Sequence, residues 1–331
     1  MYTLGIETSC DETSVAVVRN RKVISCQTLS SLKFHKKYGG IIPEIASRRH
    51  LAFIDRVTDA ALKEAKLALK DIGLISVTQG PGLVGSLLVG LCYAKALAFS
   101  LNVPILGVNH LHAHLYAGFL NKSKVSLPFI GLVASGGHTQ IYKVLDFDRL
   151  NLTGSTLDDA SGEALDKVGR YYGLGFPAGP VIDRMFKEGL VDNRLFSIKS
   201  IKGLNFSFSG IKTKAVYLYD ELEREGKLNS KSVVSILSSF QFAVVEALIN
   251  NLTRSIKEFK ISCVVCGGGV VANTLLRKRL DNIRKKFRIK LFLPELQYCQ
   301  DNAACVAGLG EYLFRMGYTS SLGMAPLLKN S

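Results

Sequence analysis

Apolar and polar positions alternate in short runs at the start of the chain, then lengthen into helical spacing. Residues 2–7 and 14–19 read as strands of a hairpin, with residues 8–13 (Thr-Ser-Cys-Asp-Glu-Thr) a polar loop between them. Asn20 and Arg21 make a turn into a third strand over 22–28. Residues 43–68 carry helical periodicity, with Ile45, Leu51, Ile54, Val57, Ala61 and Leu62 on one side. A buried strand at 72–78, an apolar helix at 85–101 and a strand at 104–108 follow. Residues 72–94 lack charge and are long enough to cross a membrane. Gln79-Gly-Pro-Gly82 interrupts them and Lys95 follows, which predicts strand, turn and buried helix instead.

The pattern then starts again. Residues 128–134 read as a strand, Ser135-Gly-Gly-His138 as a tight polar loop and 139–145 as a returning strand. Helices are predicted at 161–172, 180–188, 212–225 and 232–257. A strand at 261–265, a glycine loop, a helix at 272–284, a strand at 290–293 and a last helix at 301–316 complete the chain. The echo of strand, polar loop and strand predicts a duplicated α/β architecture with a cleft between two halves.

Composition narrows the class. A chain of 331 residues, 47% hydrophobic and 21% charged, has room for two folded domains. The net charge of +15 points to a polyanion, nucleic acid first and anionic membrane second. The densest basic run is Arg277, Lys278, Arg279, Arg284, Lys285, Lys286, Arg288 and Lys290, either an RNA surface or a solvated helix face. Seven scattered cysteines make no disulfide framework and suit a reducing compartment. Cys263 and Cys266 form an isolated CxxC in an apolar run and read as buried strand residues. No targeting segment precedes the first strand, so a cytoplasmic protein is expected.

The chemistry concentrates in four places. His110 and His114 are four apart, share one helical face and can grip one metal ion. Leu111 stands where a zinc protease needs its glutamate, so that class is excluded and a third ligand must come from elsewhere. His112 points away from the shared face. Three loops could hold phosphate or nucleotide. The first is Glu7-Thr-Ser-Cys-Asp11, whose neighbourhood offers Ser9, Asp11 and Glu12. The second is Ser135-Gly136-Gly137-His138-Thr139. The third is Gly267-Gly268-Gly269, with room for a base or ribose. None is a P-loop or a dinucleotide fingerprint.

These stretches, taken in order, resemble the TsaD family of threonylcarbamoyl-adenosine synthases, within the actin/Hsp70/sugar-kinase ATPase-fold superfamily. The matching residues are Gly5-Ile-Glu-Thr-Ser-Cys-Asp-Glu-Thr13, Tyr38-Gly-Gly with Pro43-Glu-Ile-Ala-Ser47, Gly80-Pro-Gly-Leu-Val-Gly85 and Asn109-His110 with His114. They continue through Ser135-Gly-Gly-His-Thr-Gln140, Asp158-Asp-Ala-Ser-Gly-Glu-Ala-Leu-Asp-Lys167, Phe206-Ser-Phe-Ser-Gly-Ile-Lys-Thr213, Gly267-Gly-Gly-Val-Val-Ala-Asn273 and Asp301-Asn302.

The resemblance implies a duplicated actin-like fold, each domain a mixed central sheet flanked by helices. The first domain would take residues 1–115 with roughly 296–325, the second 116–295. It implies Asp301 as third metal ligand beside His110 and His114; the plain alternative for Asp301 is an N-cap of the last helix. It implies substrate contacts at Val133, Ala134, Ser135, Gly136, Gly137, Asp166, Gly179, Asp183 and Asn273. The alternatives are a surface pair of Asp166 with Arg170 and a helix-start role for Asn273.

The implied activity moves a threonylcarbamoyl group from its adenylate to N6 of adenosine 37 in tRNAs reading codons that begin with A, releasing AMP. Rivals are a phosphotransferase of the same fold and a non-catalytic scaffold paralogue. The implied cofactors are one divalent metal, iron(II) before zinc(II), and bound ATP or threonylcarbamoyl-adenylate, with Mg²⁺ as the nucleotide's companion. The implied partners are tRNA, a TsaB-like scaffold, a TsaE-like P-loop ATPase and the upstream adenylate synthase, or a second copy of the chain; no membrane is expected. Departures from the family pattern are Ala134 and Ala178, both small, His112 where bacterial relatives often carry Glu, and a short end at Leu328-Lys-Asn-Ser331.

Overall fold

The computed structural model describes residues 1–121, 126–198 and 201–327. The chain end at 328–331 therefore lies outside the described residues. The chain divides into two compact units, Met1–Val125 with Pro294–Ser331, and Ser126–Leu293.

The first unit opens with β1 (Tyr2–Glu7), β2 (Glu12–Arg19) and β3 (Lys22–Ser30), paired antiparallel in turn. Asn20 and Arg21 adopt φ of 55° and 65°, the two-residue turn expected between twisted strands. A short α1 (Leu32–His35) leads to α2 (Pro43–Ala65). There follow β4 (Ile72–Gly80), α3 (Val84–Leu101), β5 (Ile105–Asn109) and α4 (His110–Tyr116). β4 and β5 add parallel to β1, giving the order β3-β2-β1-β4-β5. α2 buries Ile54, Val57, Ala61 and Leu62 as its periodicity predicts, but Leu51 is 70% exposed. The buried stripe drifts at 3.6 residues per turn and takes Ala46 and His50 instead.

The second unit repeats this plan. β6 (Phe129–Ala134), β7 (Thr139–Asp146) and β8 (Arg149–Ser155) are antiparallel neighbours. Helices α5 (Ser161–Tyr171), α6 (Gly179–Met185), α7 (Ser209–Arg224) and α8 (Ser230–Phe259) follow. Then come β9 (Cys263–Gly267), α9 (Thr274–Phe287) and β10 (Lys290–Phe292). β9 and β10 lie parallel to β6, and the order β8-β7-β6-β9-β10 matches the first sheet strand for strand. β8 escaped the pattern because its sequence (Arg-Leu-Asn-Leu-Thr-Gly-Ser) forms the sheet edge and buries only Gly154. The last helix, α10 (Ala303–Arg315), returns to the first unit and packs on β1, β2 and β4. Both Cys263 and Cys266 are buried in β9, as expected of strand residues.

Among the described residues, two helices, Val84–Leu101 and Ser230–Phe259, are long and apolar enough to cross a membrane by composition. Each packs within its own unit: α3 lies against β4 and α2, and α8 against α7, α9 and β6.

Candidate metal centre and nucleotide loops

The candidate metal cluster is built where β5 ends. Asn109 caps α4, its side chain accepting from the Leu111 and His112 backbone N–H groups. This fixes the first turn, so His110 and His114 come off one face with ring centroids 4.5 Å apart. The third member arrives from the other end of the chain. Asp301 Oδ1 lies 3.3 Å from His114 Nε2 and 3.7 Å from His110 Nε2. One ligand atom from each of the three lies within 4.8 Å of the others. The N-cap of α10 is Asn302, whose side chain accepts from Cys305 N–H, so the cap and the acid are separate residues. Asn302→Ala is therefore expected to cost about 1 kcal/mol of stability with metal content unchanged; denaturation and elemental analysis on one sample check both.

The donor set fits a divalent metal. His114 Nε2 is buried and has no hydrogen-bond partner. An orphaned ring nitrogen aimed at a carboxylate and a second imidazole is what a metal ligand looks like without its ion.

Glu7, expected only as the start of a phosphate-holding loop, completes this arrangement instead. Its Oε2 lies 3.0 Å from His110 Nδ1 and accepts from Thr78 Oγ1–H at 2.6 Å; Oε1 accepts from Ser9 N–H at 2.5 Å. A carboxylate only accepts, so His110 Nδ1 carries the proton and Nε2 is turned to the metal side. Burial works against charge on both groups. The pairing offsets this: Glu7 sits below the usual carboxylate range, and Glu7 and Asp301 lift His110 to about 9, so a metal would bind there by displacing the Nε2 proton. Burial lowers His112 to about 4. The sequence signal for Glu7 was its place at the start of the first polar loop; nothing there tied it to His110.

Glutamine at position 7 cannot accept all three bonds, because its amide NH2 must face a donor. Glu7→Gln is therefore expected to weaken metal binding by about 10- to 100-fold, read by competition with a metal chelator. Unchanged metal affinity would show that Glu7 does not set the orientation of His110.

The first loop belongs to this centre. Ser9 Oγ is 3.2 Å from His110 Nδ1, and Asp11 accepts from Ser30 Oγ–H at 3.1 Å. Glu12 is pushed well above the usual carboxylate range by burial first, then by Asp301, Asp11 and Glu7. Such a negative field favours a cation over a bare phosphate.

The glycine loops lie in the second unit. Ser135 N–H donates to His138 O at 2.8 Å, closing the turn after β6. Gly136 and Gly137 are not in the left-handed region, and a Cβ on either would meet nothing within 4 Å. Neither position is strained, and a side chain on either would find open space. Gly268 is the constrained one, with φ +97°, and a Cβ at that position would stand only 2.4 Å from Ala134 O. Gly267-Gly268-Gly269 thus runs directly against the end of Val133-Ala134-Ser135. Gly162, at the start of α5, supports the same loop from below, its N–H donating to Ser135 O at 3.2 Å.

The acids are engaged locally. Asp166 Oδ1 accepts from Ala178 N–H at 2.7 Å and Gly179 N–H at 2.9 Å, tying α5 to the start of α6. That is a longer reach than the surface pair with Arg170 that spacing alone suggested. Burial raises Asp166 despite those bonds. Asp183 accepts from Thr274 N–H and from Gln241 Nε2–H, each at 3.0 Å. Asn273 caps α9, accepting from Leu276 N–H at 2.9 Å. Asp159, missed in the sequence, is buried and pairs with Lys167 and Lys212. It joins the motif at 158–167 to that at 206–213. In the basic run, Lys278 pairs with Glu188, Arg279 with Glu246, and Arg284 and Lys285 with Asp281.

Comparison with known proteins accords with this layout. The family model for TsaD, tRNA N6-adenosine threonylcarbamoyltransferase, matches residues 22–308. The tRNA N6-adenosine threonylcarbamoyltransferase of Thermodesulfovibrio yellowstonii is 48% identical, with 97% of each chain covered. That of Thermosipho africanus is 42% identical over 99% of this chain and 100% of its own. Among solved structures, full-length HypF in its phosphate- and nucleotide-bound form aligns with TM-score 0.60 at 15% identity, covering 94% of this chain and 46% of that one. Component A of the (R)-2-hydroxyglutaryl-CoA dehydratase of Acidaminococcus fermentans aligns with TM-score 0.53 at 13% identity, covering 93% and 97%. These two likenesses concern the fold alone.

Proposed function

Because the chain belongs to the TsaD family of tRNA N6-adenosine threonylcarbamoyltransferases, we propose that it transfers a threonylcarbamoyl group from threonylcarbamoyl-adenylate to N6 of adenosine 37 in tRNAs reading codons that begin with A. The observation that carries the reading is the buried His110–His114–Asp301 cluster with its orphaned ring nitrogen, set in a chain of matching family over nearly its whole length. A kinase of the same fold holds its Mg²⁺ with oxygen ligands and has no use for two imidazoles. A scaffold paralogue has no use for the cluster at all.

The donor is a mixed anhydride and already activated, so the protein's work is orientation and charge stabilisation. The N6 amine attacks the carbamoyl carbon, the bond from that carbon to the phosphate oxygen breaks, and AMP leaves with the electron pair. The amine gives up a proton. His110, His114 and Asp301 would hold the metal, iron(II) before zinc(II), which supplies a Lewis acid for substrate oxygens. Glu7 keeps His110 in the ligand tautomer. Backbone N–H groups of Gly136 and Gly137 would meet the phosphate, Ser135 N–H being spent on His138 O, and the open side of Gly136 leaves it room. Gly267–Gly269 and Asn273 border the nucleoside. Adenosine 37 lies in a single-stranded loop, where its amine is reached without opening a duplex. The upstream synthase supplies the adenylate. A TsaB-like scaffold and a TsaE-like ATPase, or a second copy of the chain, complete the active assembly in the cytoplasm.

Reconstitution tests this. Purified protein, tRNA and threonylcarbamoyl-adenylate are combined with and without the two partners, and digested nucleosides are analysed by mass. Modified adenosine should form with adenosine at position 37 and not with guanosine there. Phosphorylation of a sugar by ATP with no modified nucleoside would overturn the reading.

A further inference from the structure

The densest basic run in the sequence belongs to the second unit, whereas the metal ligands belong to the first. Four of its eight cations are paired with carboxylates. Its remaining exposed cations are Lys286, roughly 20 Å along α9 from Asn273 at 1.5 Å per residue, and Arg288 and Lys290 just beyond the end of that helix.

A second cationic patch sits in the first unit. α1 continues into a single 3₁₀ turn, Lys36–Tyr38. Lys33, Lys36 and Lys37 fall at i, i+3 and i+4 and share one face. All three are exposed, and none has a carboxylate partner among the described residues. Arg49 of α2 adds a fourth cation, its guanidinium 3.6 Å from the centroid of the Phe34 ring. Arg48 beside it is paired with Glu44. Tyr38 is 51% exposed at the end of the turn, with Lys37 Nζ 4.8 Å from its ring centroid.

The opposite face of this turn is bolted to the metal centre. His35 is fully buried, and Ile42 N–H donates to its Nδ1. Its Nε2–H therefore donates to Ser31 Oγ at 2.9 Å, and Ser31 Oγ–H donates to Asp11 O at 3.0 Å. From α2, His50 Nε2–H donates to Cys10 O at 3.0 Å, while Nδ1 accepts from Thr13 Oγ1–H at 2.8 Å. Loop residues 9–13 are thus clamped between the two elements that carry the patch. The same loop places Ser9 on His110. Only Cys10 separates the anchored Asp11 from Ser9.

We propose that Lys33, Lys36, Lys37, Arg49 and Tyr38 form the docking surface for the single-stranded anticodon loop of the RNA substrate. The proposal rests on the transferase reading and deepens it. Lysines on one face track a phosphate backbone, and an exposed tyrosine with an arginine-backed phenylalanine offers the stacking surface that unpaired bases use. A duplex-binding surface would need no exposed ring. The rigid link through His35, Ser31 and Asp11 holds this surface at a fixed distance from the metal ligands, as a reaction on one defined base of a loop requires.

The test uses the full chain and a substrate tRNA. Affinity is measured over a range of salt for wild type, for the triple variant Lys33→Glu/Lys36→Glu/Lys37→Glu, for Tyr38→Ala, and for Lys286→Glu/Arg288→Glu/Lys290→Glu. The first triple variant should lower affinity at least tenfold and reduce the salt slope by about 2, from about 0.7 per single-strand contact. Tyr38→Ala should lose about tenfold with the slope unchanged. Metal content and ATP binding should stay at wild-type levels in both, and the Lys286/Arg288/Lys290 variant should keep wild-type affinity. A wild-type slope in the Lys33/Lys36/Lys37 variant, while wild type binds tRNA, overturns the patch and leaves the transferase reading standing. Failure of wild type to bind tRNA overturns both.

Discussion

Replacing Asp301 by Asn, or His114 by Ala, is expected to strip the bound metal and lower threonylcarbamoyl transfer about a thousandfold while the protein stays folded. A Lewis acid contributes several kcal/mol to such a transfer, and ~4 kcal/mol is about a thousandfold in rate. Asp301 is the cleaner test. Its side chain is 19% exposed, and Asn302 rather than Asp301 caps α10. His114→Ala removes a nitrogen that the fold leaves without a hydrogen-bond partner, so little native bonding goes with it. His110→Ala behaves differently. It leaves Glu7 buried without its cation, and breaking such a pair costs about 3–5 kcal/mol. That variant should lose metal and stability together. Elemental analysis, denaturation and single-turnover transfer on the three proteins separate these outcomes. Full metal occupancy in Asp301→Asn and His114→Ala would remove the site.

Gly268→Ala is expected to be strongly damaging although it adds a single methyl. The new Cβ would stand 2.4 Å from Ala134 O at φ +97°, a region L-residues avoid at about 1–3 kcal/mol. The overlap is with backbone, so relief requires the end of β6 to move, and Ser135–Gly137 move with it. Stability should fall by about 2–4 kcal/mol, and ATP binding should be lost. Gly136→Val makes the contrast. A Cβ there meets no protein atom within 4 Å, so the fold should survive while a bulky side chain blocks the phosphate. Metal content should be normal in Gly136→Val, because its ligands lie in the other unit. Calorimetry with ATP beside a denaturation curve decides each case. Wild-type ATP affinity in Gly136→Val would reduce that loop to a turn, and wild-type stability in Gly268→Ala would contradict the close approach.

The two glycines show where sequence reading reaches its limit. Both stand in short glycine runs after a strand, and both read as places where backbone meets ligand. Only the packing of β9's exit against β6 makes one of them obligatory for the fold and leaves the other open. The same division runs through the acids. Spacing offered Asp166 a partner four residues away, and the Arg170 charge does act on it, but its carboxylate also reaches Ala178 and Gly179 at the next helix, which spacing does not show.

Periodicity by itself determined most of the architecture, because burial on one face writes a repeat of 2 or 3.6 into any strand or helix that has one. It located the repeated strand–loop–strand start of each half, and missed β8, whose exposed edge writes no such repeat. Helical spacing also determined that His110 and His114 share a face, since four residues bring a helix round once. Tertiary structure decided the rest. Asp301 is 187 positions from His114 in the numbering, and only the return of α10 to the first sheet brings it to 3.3 Å. Glu7 lies at the end of a strand that looks like any other, and becomes the partner of His110 because β1, β4 and β5 are neighbours in one sheet. Contacts across that distance leave no local period, because they depend on where the chain turns back and not on which residues stand next to one another.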